Sequence, residues 1–96
     1  MPTFTASTSA AEFFPRSGIR KSVVMQNEDT AITVFVKRER ASTVSSTDHD
    51  HALLPLESIA LNTDEDGAAQ VQDRWTVIAA SGTPRVSWFE TEFFTR

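Results

Sequence analysis

The sequence has 96 residues, 40% of them hydrophobic and 23% charged, with a net charge of −4 and no cysteine. A chain this short builds one small domain with a thin core, since it buries only about two thirds of the surface its unfolded form exposes. The acidic balance and scattered basic residues exclude a nucleic-acid surface, and the lack of cysteine excludes disulfides and thiolate metal sites. No apolar run is long enough to span a bilayer, and Met1 to Ala11, mostly Thr, Ser and Ala, lacks the pattern of a secretory signal. Synthesis in a reducing cytosol fits this composition.

Residues 1–18 read as an extended N-terminal arm, small and hydroxylated except for Phe4 and the pair Phe13-Phe14. Such a segment is mobile unless docked, and the expected dock is a neighbouring subunit. Residues 19–96 read as the folded domain. Ile19 to Gln26 is rich in Val and Ile and predicts a strand. The polar turn Asn27-Glu28-Asp29-Thr30 then leads to a second strand, Ala31 to Val36, and the two are expected to form a hairpin. Arg38 to His51 has no hydrophobic period and predicts a long loop, of the kind that is functional or mobile in compact domains.

Leu53-Leu54-Pro55-Leu56 introduces a strand carrying Ile59 and Leu61 on one face. Asp64-Glu65-Asp66-Gly67 reads as an acidic turn, followed by a weak strand from Ala68 to Gln72. Trp75 to Ala80 and Arg85 to Phe94 read as two strands joined by a tight Ser81-Gly82-Thr83-Pro84 turn. The last strand carries apolar groups on both faces, an aggregation hazard that burial against another chain would remove. The fold class is all-β: a small antiparallel β-sandwich or barrel of about five to seven short strands.

No constellation of residues announces a reaction. There is no Gly-x-Ser-x-Gly elbow and no glycine-rich phosphate loop, and Glu90 and Glu92 share a strand face with no pocket implied. Asp48-His49-Asp50-His51 offers two imidazoles, but no further ligands at metal spacing, and reads as a solvated loop. Asn62, Asp64, Asp66, Gly67 and Asp73 follow a calcium-loop spacing only in part, and an acidic turn is the better reading. The chain is therefore expected to be no enzyme and to need no cofactor or metal.

The aromatic residues carry more. Trp75, Phe35 and Trp88 are expected in the core. Phe4, Phe13, Phe14, Phe89, Phe93 and Phe94 cluster towards the chain ends and exceed what a thin core absorbs. With Arg16 they form the expected surface for a partner.

Several short motifs carry a resemblance: Phe14-Pro15-Arg16, a strand ending Met25-Gln26-Asn27, Thr33-Val34-Phe35-Val36, Leu54-Pro55-Leu56-Glu57-Ser58, and Trp75-Thr76-Val77-Ile78-Ala79-Ala80-Ser81-Gly82-Thr83. The succession resembles small β-sandwich structural proteins of tailed bacteriophages, the decoration, cement and head–tail accessory proteins. It spans about residues 8–90. Leu56 stands where the family pattern has Gly, and the Phe-rich stretch after Glu90 extends past it. The resemblance implies a virion protein on the outer capsid surface, most simply a decoration or cement protein. Its partner would be the major capsid protein, which it would clamp as a homo-oligomer, with a trimer as the expectation. The competing expectation is a head spike or tail adaptor that binds a receptor or glycan, with Trp75 or Trp88 exposed beside carboxylates. Neither reading involves nucleic acid or membrane.

Overall fold

In the computed structural model, which describes residues 3–38 and 43–92, the chain forms eight strands and two single-turn helices. The strands are β1 (Thr3–Thr5), β2 (Ala11–Phe14), β3 (Arg20–Asn27), β4 (Val34–Arg38), β5 (His51–Leu53), β6 (Ser58–Asn62), β7 (Trp75–Ala79) and β8 (Arg85–Glu92); helices α1 (Thr63–Asp66) and α2 (Ala68–Gln72) lie between β6 and β7. β1 pairs with β8, β2 with β7, β3 with β6 and β4 with β5, all antiparallel. This is the pattern of one long hairpin folded at β4–β5. Two further pairings, β3 with β8 and β4 with β7, roll that hairpin into two four-stranded sheets, ordered β1-β8-β3-β6 and β2-β7-β4-β5. Eight antiparallel strands wound in this way are a jelly roll.

The core follows from period-two alternation. In the first sheet Val23 and Met25 of β3, Leu61 of β6 and Val86 of β8 point inward; in the second, Val34, Val36, Trp75, Val77 and Ala79 meet them. An aromatic seam runs between the sheets. Phe14 stacks on Trp88 (4.9 Å between centroids) and lies 5.2 Å from Phe13 and 6.5 Å from Trp75. Full burial of each such ring is worth about 2–3 kcal/mol.

A buried polar residue sits at each end of β3, and each holds together the connections at its end of the sandwich. Asn27 is fully buried. Its side-chain amide donates to the carbonyls of Ile32 (2.7 Å) and Leu53 (3.0 Å), while its Oδ1 accepts from the Asp29 backbone. Arg20, 1% exposed, donates to the carbonyls of Pro15 (2.7 Å) and Val71 (2.9 Å), pairs with Glu90, and lies 4.8 Å over the Phe14 ring. A guanidinium taken out of water is tolerated only when its donors are satisfied in this way.

Three sequence expectations are corrected. Residues 3–18 are not an arm apart from the domain: β1 and β2 belong to the two sheets, and Phe13 and Phe14 are core. Neither expected hairpin exists. β3 and β4 lie in opposite sheets, as do β7 and β8, so both connections are arches. At the first arch the backbone donors that would start a hairpin ladder go elsewhere: Asn27 N–H to Glu57, Glu28 N–H to Arg85, and Ala31 and Ile32 N–H to the Asp29 carboxylate. At the second, Gly82 has φ +59°, and a Cβ there would lie 3.1 Å from Ile32 Cδ1. Finally, the segment read as an acidic turn and weak strand is helical. Asn62 caps α1 by accepting from Glu65 N–H (2.9 Å), and Val71 anchors α2 in the core.

Candidate functional site

The two sheets present different outer faces. On the second, Phe35 and Lys37 of β4 point away from the core, because their neighbours Val34 and Val36 point in. Residues 48–50, just before β5, fold back over them. The His49 ring lies 4.7 Å from the Phe35 ring, the Asp48 carboxylate holds Lys37 Nζ at 2.7 Å, and Asp50 N–H donates to Val36 O (2.9 Å). Phe35 is thus not a core residue but lies under this loop.

The first sheet carries no such cover among the described residues. Its outward positions follow from the register in four rows: Thr5 and Arg85; then Thr3, Ser87, Gln26 and Ser58; then Phe89, Val24 and Ala60; then Thr91, Ser22 and Asn62. Charged residues make up 23% of the chain, yet these positions carry a single one, Arg85 in the end row, which pairs with Glu28 (3.6 Å). Depletion of charge around an aromatic anchor is the mark of an interface centre. Phe89, half exposed between the polar rows, is the exposed aromatic residue of this face. The polar groups beside it are already ordered, for Ser22 and Thr91 share a hydrogen bond across β3 and β8. No acid stands at any of these positions, and Ser87 among them is buried.

Two further exposed hydrophobic residues, Leu54 and Leu56, sit on the β5–β6 turn at the Asn27 end of the sandwich. Leu54 O accepts from Glu57 N–H (2.9 Å), closing a four-residue turn with Pro55 second and Leu56 third. Leu56 has φ +64°. A turn of this shape prefers Gly at that place, and a branched residue there costs about 1 kcal/mol or more.

The expected partner residues are dispersed. Phe13 and Phe14 are buried, and Phe4 packs half-buried against the core. Arg16 is exposed at the Arg20 end, beside a shallow recess of about 260 Å³ that it lines with Ala68, Gln72 and Asp73. Of these residues, among the described ones, Phe89 alone lies on the outer face of the first sheet, and Phe93 and Phe94 lie outside the described residues. Trp75 is fully buried, with its indole N–H donating to Gln70 O, and Trp88 stacks on Phe14, so neither offers the open ring expected of a glycan platform. His49 and His51 rest against different rings, Phe35 and Trp75, and no group of three metal-ligating side chains occurs among the described residues. In the calcium-like segment, Asn62 and Asp66 are used in capping α1.

Leu54, Leu56 and Arg20 were not singled out by sequence. The signal for the turn was Pro55 followed by a residue in the place of Gly; nothing marked Arg20.

No family model matches the chain, and no curated protein or solved structure is significantly similar to it.

Proposed function

We propose that this chain is a non-enzymatic structural protein of a tailed-bacteriophage particle, a decoration or cement protein on the outer capsid surface. It docks on the major capsid protein through the outer face of the first sheet, around Phe89, and bridges adjacent shell subunits. The observation that carries this reading is the contrast between that face, with Phe89 open at its centre, and the covered face opposite. Jelly rolls serve in viral capsids and also in lectins and cupins, so the fold permits the role without choosing it. The motif resemblance supplies the choice.

Bridging falls to the rigid face and not to a terminal arm, because residues 3–5 and 11–14 are strands of the sandwich. A repeated shell surface multiplies a modest single contact through avidity when copies associate.

The test is quantitative mass spectrometry of purified particles of the phage that encodes the chain. Copy number comparable to that of the major capsid protein is the expected result. A few copies per particle would assign a head spike or tail adaptor, and absence from the particle would overturn the virion reading.

A further inference from the structure

The β5–β6 turn combines exposure, backbone strain and rigidity. Leu54 and Leu56 are 54% and 59% exposed, and Leu56 keeps a left-handed backbone that glycine would adopt freely. Despite this, the turn is pinned at several points. Leu56 N–H donates to Asp29 O (3.1 Å), Asn27 N–H to Glu57 O (2.9 Å), and Asn27 Nδ2 to Leu54 O (3.3 Å). A strained, water-exposed leucine pair held this firmly has no role in the monomer's own core.

Resting on the capsid reading, we propose that the Leu54–Glu57 turn is a preformed knob that seats in an apolar pocket with a basic rim on the shell subunit. The area decides for a pocket over a flat contact. The exposed parts of the two leucines amount to on the order of 200 Å², well short of the roughly 800 Å² per partner of a standard interface. So small a surface binds well only if it is enclosed on several sides and already ordered, which the turn is. Charge decides the rim and argues against lipid. The turn is flanked by Glu57 and Asp29, and Arg85 at this end is engaged by Glu28 (3.6 Å). An acidic border is repelled by an anionic membrane surface and attracted by lysine and arginine on a protein.

The test uses the full chain, with shells of the encoding phage prepared without this protein, in a co-sedimentation titration. Leu56→Gly and Leu56→Asn, both compatible with the left-handed backbone, are expected to melt at or above the wild-type temperature while losing at least tenfold in affinity. Leu54→Ser combined with Leu56→Gly should lose sedimentation altogether. Wild-type binding by Leu56→Gly, alongside loss of binding in Phe89→Ser, would overturn the knob and leave the capsid reading standing. Failure of the wild-type chain to bind shells would overturn both. Stable binding to vesicles of phosphatidylcholine with 30% phosphatidylserine, lost in Leu56→Gly, would overturn the protein pocket in favour of a membrane.

Discussion

Lys37 and Phe89 occupy equivalent places, each on an outward position near the middle of a sheet, and their environments are the reverse of what their chemistry favours. The lysine is 3% exposed, beneath a loop that brings its own carboxylate, while the phenylalanine is 50% exposed with nothing over it among the described residues. Lysine is among the residues least often buried and phenylalanine among those most often buried. The inversion comes from topology. The second sheet lies under the β4–β5 connection, whose Asp48 and His49 cover its outer face; the equally long β6–β7 connection is taken up by α1 and α2, with Val71 in the core, and the outer face of the first sheet stays open. What this teaches is that the covered face belongs to the stability of the monomer, and the open face is free for a partner.

The strongest way to break the comparison is to ask whether one cooperative sandwich carries both faces. Deleting residues 1–14 removes β1, β2 and two core phenylalanines, and circular dichroism should then show no cooperative melting. A near-native transition would mean that these strands are dispensable and that neither face is what it is drawn to be. Next comes the clamp. Arg20→Met leaves Glu90 without its partner at the edge of the core, and urea denaturation should register a loss of about 3 kcal/mol. The comparison itself is sharpened by a matched pair. Phe35→Ala, under the loop, should cost about 1–2 kcal/mol, and Phe89→Ala should stay within about 0.5 kcal/mol of wild type, both by urea denaturation. Equal losses would erase the distinction between the faces.

The all-β class and the positions of β3, β7 and β8 could be read from the sequence, because their alternation is local. What alternation cannot report is which sheet a strand joins. An arch and a hairpin use the same turn residues, and the choice between them at Asn27–Thr33 was made by side-chain hydrogen bonds to distant carbonyls. Arg20 looked like one more surface cation in Ile19-Arg20-Lys21-Ser22, since its acceptors come from Pro15, Val71 and Glu90. Phe13 and Phe14 looked surplus for the same reason: the core they fill is built by strands more than 50 residues further along. The outward position of Phe89 was legible because alternation puts it on the face opposite Val86 and Trp88.

The position of β8 also bears on how the chain comes to be folded. It is the last strand made, yet it lies between β1 and β3. Until it emerges from the ribosome, the track beside β3 is vacant, and β1, which among the described strands pairs with β8 alone, has nothing to pair with. Closing that track joins residues at the far ends of the chain, a non-local step of the kind that slows folding and leaves intermediates prone to aggregate. Insertion of β8 is then the step that creates the open face and the last one to finish. A chain stalled before residue 85 has no Phe89 to display.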